Sequence, residues 1–181
     1  MISDNNRDTI AESHTRRDVN STMTNNAVPM SQSRTVQSRL VLPPDTNNHN
    51  SIFGGRVLAY IDEIAAITAM KHAKGHVVTA SIDSVDFLSS AHVGDILEIE
   101  SIVSSTGRSS MEVYVRVVSR NIETGEEKLT TESFVTMVAV DSEGKPKAIP
   151  GIYPETDAEK RLFETGPARR EHRKQKRLLS H

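Results

Sequence analysis

The chain has no cysteine, and aromatic residues make up only 4% of its 181 residues. Without cysteine there is no disulfide, no thiolate metal ligand and no cysteine nucleophile, which fits a reducing compartment. No apolar stretch reaches the roughly 20 residues that a membrane-spanning helix needs. The N-terminus lacks the positive-then-apolar pattern of a secretory signal, and Asp4, Asp8 and Glu12 are foreign to acid-poor transit peptides. A cytoplasmic protein without membrane insertion is the expectation. The formal net charge of -2 gives no global pull toward nucleic acid. A G-x-S-x-G elbow, an HExxH pair, a P-loop and a G-x-G-x-x-G turn are all missing, so the usual serine-hydrolase, metalloprotease and nucleotide motifs are excluded. Neither a bound metal nor a cofactor is expected.

What is present is organised in blocks. Residues 1–34 are rich in Asn, Ser, Thr, Asp and Arg with almost no aliphatic periodicity, which reads as a disordered polar leader. Val36, Ser38, Leu40 and Leu42 alternate with Gln37 and Arg39 as a short strand stopped by Pro43-Pro44. A loop, Asp45 to Phe53, leads to one helix from Gly54 to about His72, apolar at Val57, Ile61, Ile64, Ala65 and Thr68. Four strands are then predicted at His76–Phe87, Asp95–Ser104, Met111–Arg120 and Leu129–Val140. Their connections are too short for crossover helices, so the sheet is antiparallel, and the economical fold is α+β: one long helix wrapped by a curved sheet in the order β-α-β-β-β-β. One helix cannot cover both faces and both edges, so a second subunit is expected. The domain so defined runs over residues 35–153. Residues 154–181 form a basic tail, with a helix start at Thr156 to Glu159, a break at Gly166-Pro167 and a basic helix from Ala168 to Leu179.

The anomaly is a pair of adjacent acids, Asp62 and Glu63, on the apolar helix, neither with a basic neighbour three or four residues away. A carboxylate near a core costs several kcal/mol unless it is hydrogen-bonded. Ahead of them Gly54-Gly55 opens the helix, where free amides face outward as donors for negative charge or a polarised carbonyl. Asn47, Asn48, His49, Asn50 and Ser51 crowd in front of that turn. A carboxylate, a helix-start amide and loop carboxamides are the parts of a hydrolytic site that has no nucleophile triad. Periodicity alone does not choose between Asp62 and Glu63.

Four segments, "DTNNHNSIFGGRVLAYIDEIAAITAMKHA", "VVTASIDSVDFLSSAHVGDILEIES", "TGRSSMEVYVRV" and "FVTMVAVDSEGKPKAIPGIYPET", together resemble the bacterial acyl-CoA thioesterases of the hotdog fold, in the branch related to the mammalian cytosolic acyl-CoA hydrolase. The resemblance runs from about Arg39 to Arg177. It implies a hotdog fold, a homodimer or trimer of dimers, and acyl-CoA as substrate, with coenzyme A part of the substrate rather than a cofactor. It also implies a composite site in which Asn47 and Asp62 come from opposite subunits and the Gly55 amide polarises the thioester carbonyl. Phe53 and Gly54 belong to the same turn, and Arg108, Ser109 and Ser110 lie close to bound coenzyme A. Two departures from the family pattern stand out. Asn50-Ser51 replaces Gly-Thr, exchanging a residue tolerant of φ > 0 for the next most tolerant type and putting the acyl chain length in question, and G-R-S-S replaces G-R-T-S, which keeps a hydroxyl. The competing readings are a hotdog hydratase or dehydratase using His49 with Asp62, and a non-catalytic acyl-CoA sensor. Nucleic-acid binding by the tail is disfavoured, because no aromatic residue punctuates its basic run.

Overall fold

The computed structural model describes residues 26–83 and 85–179. Its main sheet runs in the order β2 (Thr35–Leu40), β5 (Ile96–Thr106), β6 (Ser110–Arg120), β7 (Glu127–Val140) and β3 (His76–Ile82), all antiparallel, with the two-residue β4 (Asp86–Phe87) also on β7. Helix α1 (Gly54–Ala73) lies against one face of this sheet. The period-2 pattern of the strands decides the faces. Leu97, Ile99, Val113, Val115, Val117, Val135 and Met137 turn toward α1 and are fully buried with Val57, Ile61, Ile64, Ala65 and Ala69. Each large aliphatic side chain so buried contributes about 1.5–3 kcal/mol. In the same core Thr68 Oγ1 and Ser101 Oγ share a 2.5 Å hydrogen bond, so the polar pair costs little to bury.

The opposite face of the sheet is covered too, by helix α2 (Asp157–Leu179). Its start follows the sequence expectation: Glu159 Oε2 accepts from the backbone amides of Glu155 and Thr156, while Thr156 Oγ1 accepts from the Glu159 amide. The expected break at Gly166-Pro167 does not occur, and the helix passes through both residues. Gly166 is buried, and a Cβ there would stand 2.9 Å from Ser105 Cβ, so the glycine serves a close approach of helix to sheet. Pro167 removes a helix donor at a cost of about 3 kcal/mol. Anchors beyond it offset that cost, since Arg169 donates to Glu112 Oε1 at 2.7 Å and Arg173 to Glu112 Oε2 at 2.5 Å.

Two further expectations are corrected, and one strand faces the opposite way from the usual pattern. Residues 1–25 of the leader lie outside the described residues, but the leader does not extend to residue 34. β1 (Val28–Pro29) pairs in parallel with β8 (Ile152–Tyr153), Met30 is fully buried, and Ser33 Oγ accepts from the Val103 amide at 3.0 Å. One methionine and one serine in the core suffice to tie down a segment whose composition is otherwise polar. The predicted strand His76–Phe87 is two strands, β3 and β4, separated around Asp83. In β2 the facing is the reverse of the usual one: Val36 and Leu40 are exposed, while Gln37 and Arg39 are half-buried on the helix side.

Candidate active site

The start of α1 is built to leave donors free. Phe53 occupies the N-cap with no side-chain cap, and the amides of Gly54 and Gly55 have no acceptor among the described residues. Gly55 is exposed and a side chain there would meet nothing, whereas at Gly54 a Cβ would stand 2.9 Å from the ring of Phe87. The turn is fixed from behind by the Phe53 amide donating to Asp45 O at 3.0 Å and by the Arg56–Asp45 ion pair at 3.0 Å. Phe53 itself is about half exposed.

Asn47 organises the loop in front. Its Oδ1 accepts from the His49 amide (2.9 Å), the Ser51 amide (3.3 Å) and Ser51 Oγ (3.1 Å). Its acceptor capacity is thereby taken, and Nδ2 is left without a partner among the described residues. Asn50 sits at φ 57°, in the left-handed region that its residue type tolerates. His49 is exposed, and no described residue bonds its ring.

The two helix acids separate by environment. Glu63 Oε1 is paired with Arg39 Nη2 at 2.7 Å across from β2, and that guanidinium also lies 5.3 Å from the Tyr60 ring centre. Asp62 has no cation. It is half-buried, and Oδ1 accepts from Thr79 Oγ1 of β3 at 2.7 Å. Thr79 is a residue the sequence reading missed, since a threonine in a strand carries no local sign of a partner 17 positions earlier in the chain.

Within one chain these groups lie in two separate places. Asp62 is seven residues beyond Gly55, which is roughly 10 Å along the helix axis. Thr79 is level with Met137 of β7, and Ser110 with the adjacent Val138; Phe87, which packs on Gly54, is level with Thr131. Seven residues of β7 between Thr131 and Val138 span roughly 20 Å. Asp62, Thr79 and the Gly107–Ser110 turn therefore lie toward one end of the sheet, and Asn47, Phe53, Gly54 and Gly55 toward the other. In that turn the carbonyl oxygens of Arg108 and Ser109 accept from Ile149 and Ala139, while the Arg108 side chain is exposed. β3, which carries Thr79, is an edge strand exposed over most of its length, with Val78 half exposed.

A cavity of about 810 Å³ holds none of these residues. It lies on the α2 face of the sheet beside Tyr114, Phe134, Leu162 and Arg169. There Arg169 stacks over Phe134 at 4.1 Å, and burial, then the neighbouring Glu132 carboxylate, push the Tyr114 phenol up. The basic run thus has structural work. Arg169 and Arg173 clamp Glu112, whose side chain is 2% exposed. Burial alone would raise the Glu112 carboxyl, but donors from Arg169, Ser104 and Arg173 hold it below its ordinary range. Among the described residues no cluster of His, Asp or Glu could hold a metal ion, and no helix is long and apolar enough to cross a membrane.

Comparison with known proteins agrees with this architecture. The thioesterase superfamily model matches residues 49–126. An uncharacterised acyl-CoA thioester hydrolase of Bacillus subtilis (strain 168) is 46% identical over 149 residues, covering 82% of this chain and 87% of that protein. The crystal structure of an apo-hexameric acyl-CoA thioesterase superposes with a TM-score of 0.82 at 68% identity, covering 83% of this chain and 97% of that one. The acyl-CoA hydrolase of Staphylococcus aureus, in complex with butyryl coenzyme A, coenzyme A and coenzyme A disulfide, superposes with a TM-score of 0.81 at 51% identity, covering 85% and 94%. On the identity and coverage of these matches, and on a long helix held against a curled antiparallel sheet, the chain belongs to the thioesterase superfamily, among its hotdog-fold acyl-CoA thioesterases.

Proposed function

We propose that this protein hydrolyses acyl-CoA thioesters to a free acid and coenzyme A in sites that two chains complete together. The observation that carries the reading is the division of one chain into half-sites. Uncapped amides with the Asn47 carboxamide lie at the start of α1, and a carboxylate without a cation lies two turns further on. A carbonyl carbon, its oxygen and an attacking water all fit within about 3 Å of their partners. Groups roughly 10 Å apart on one helix cannot serve them together, whereas a copy related by a two-fold axis brings each half-site to the other.

In this mechanism the Gly55 amide, at the positive end of α1, donates to the thioester carbonyl oxygen and stabilises the oxyanion as it forms. Asp62 of the partner chain takes a proton from water as the water oxygen bonds to the carbonyl carbon. Collapse of the tetrahedral intermediate breaks the C–S bond, and the same proton passes to the departing thiolate, leaving the carboxylic acid and coenzyme A. Asn47 acts as a donor through Nδ2, because its oxygen is already engaged. Thr79 holds the Asp62 carboxylate in one orientation. Arg108, Ser109 and Ser110 face the coenzyme. The dimer forms along the exposed β3 edge, dimers assemble further into a trimer of dimers, and the place of action is the cytoplasm.

The test is thiol release from short, medium and long acyl-CoAs by the wild-type chain and by Asp62→Asn. The expected loss in the variant is about 10²- to 10⁴-fold, as for removal of a general base. A folded Asp62→Asn protein with normal turnover would sink the assignment.

A further inference from the structure

The chain has four phenylalanines, and two of them stand at the start of α1. Phe53, the N-cap, and Phe87, on β4, are each 53% exposed. A single exposed ring is ordinary, but two flanking one pair of unengaged amides make an apolar surface beside a polar anchor. Phe87 is placed by the sheet and not by a loop. Its strand pairs with β7 at Asp86–Glu132 and Phe87–Thr131, and the next amide, of Leu88, donates to Thr130 O at 2.8 Å. The ring reaches α1 at Gly54, where a Cβ would stand 2.9 Å from Cζ, 3.3 Å from Cε2 and 3.4 Å from Cε1. Residue 54 is a glycine to admit this ring, whereas a side chain on Gly55 would meet nothing. Consecutive Cα atoms are about 3.8 Å apart, so a carbonyl held at the Gly55 amide has the Phe87 ring for a neighbour.

We infer that Phe87 is a specificity-determining residue, the exposed part of its ring being the surface on which the acyl chain packs. The inference rests on the proposed function, with Gly55 as the donor to the thioester oxygen. A thioester carbonyl carries two substituents, the sulfur of the coenzyme and the acyl chain. In the two-chain site the Gly107–Ser110 turn arrives with Asp62 from the partner chain, because both lie toward the same end of the sheet. The chain that supplies the Gly55 amide supplies the two rings instead, far from its own coenzyme turn. The apolar substituent is the one that gains from them. Acyl-CoAs whose chains are long enough to cover the ring are therefore the preferred substrates, and a two-carbon acyl group is a poor one.

The test is thiol release from acetyl-, butyryl-, hexanoyl- and octanoyl-CoA by wild type, Phe87→Leu and Phe87→Ala. In the wild type kcat/KM should rise by about two- to fourfold per methylene until the ring is covered. In Phe87→Ala the octanoyl-to-acetyl ratio of kcat/KM should fall by about tenfold or more, and Phe87→Leu should recover most of it. A loss equal at every length, as from a merely structural role, leaves that ratio unchanged and overturns the inference. A ratio that rises in Phe87→Ala makes the ring a barrier and overturns it too. Sedimentation velocity checks the other occupant, since a Phe87→Ala chain that dissociates would assign the ring to the contact between copies and also overturn it. Calorimetry with the thioethers ethyl-CoA and octyl-CoA, which cannot be hydrolysed, separates the inference from the reaction. A wild type that releases no thiol, yet binds octyl-CoA more tightly than ethyl-CoA by a margin lost in Phe87→Ala, keeps the acyl surface and removes the hydrolase reading alone. Equal affinity for the two thioethers in the wild type, or no binding of either, overturns the inference.

Discussion

Asp62 Oδ1 accepts a hydrogen bond from Thr79 Oγ1 at 2.7 Å, and this bond joins the central helix to an exposed edge strand. It distinguishes Asp62 from Glu63, which is held by Arg39. A carboxylate oriented by a neutral hydroxyl keeps its charge available, whereas one paired with a guanidinium does not. Replacing Thr79 by Val keeps the shape and removes the donor. The expected result is a fall in kcat of about tenfold with little change in KM, since a hydrogen bond to a charged group is worth about 1.5–3 kcal/mol. Thr79→Ser should restore most of the rate. Steady-state kinetics on one acyl-CoA checks both variants, and a Thr79→Val protein with unchanged kcat would remove Thr79 from the site.

Glu112 is the anchor of α2. Removing one partner of a buried ion pair costs about 3–5 kcal/mol, because the remaining charges stay buried without compensation. Glu112→Ala leaves Arg169 and Arg173 facing the buried end of Ser104 and is expected to lower Tm by about 10 °C or more. Because the carboxyl is held below its ordinary value of 4.5, its contribution is present above that pH and is lost as pH falls through the lower folded-state value. The difference in thermal unfolding between wild type and variant should be full at pH 7 and should narrow as pH is lowered below 4.5.

His72 gives a second, separate pH window. It is buried at the end of α1 with Nε2 3.0 Å from Pro150 O, and burial holds its pKa below 6.5 despite that carbonyl. The fold therefore favours the neutral ring, while the unfolded chain takes up a proton near pH 6.5. Stability from this group is full above pH 6.5 and declines as pH falls below it. Denaturant unfolding between pH 7.5 and 5.5 should show that slope in the wild type. His72→Gln, though less stable throughout, should be flat over the same range.

Local signals carried the elements whose causes are local. The apolar period fixed α1 to within a residue, and Gly-Gly marked its open start. Contacts distant in sequence were not legible. Nothing near Thr79, Arg39 or Glu112 announces the groups they meet across the fold: Asp62 lies 17 residues from Thr79, Glu63 24 from Arg39, and Arg169 and Arg173 57 and 61 from Glu112. Gly166-Pro167 misled for the same reason: the residues read as a local stop, and the cause of the glycine is Ser105 on a distant strand. Met30 was hidden because one buried side chain can order a polar segment without any periodicity.

The claim that the active site needs two chains is tested most directly by subunit complementation. Asn47→Ala and Asp62→Asn chains, each nearly inactive alone, are unfolded together, refolded as a mixture and assayed for thiol release from one acyl-CoA. In a mixed two-fold dimer one site collects both substitutions and the other collects neither, so with random pairing about a quarter of wild-type activity should return. A mixture no more active than the two variants assayed separately would place Asn47 and Asp62 of one site on the same chain and contradict the account.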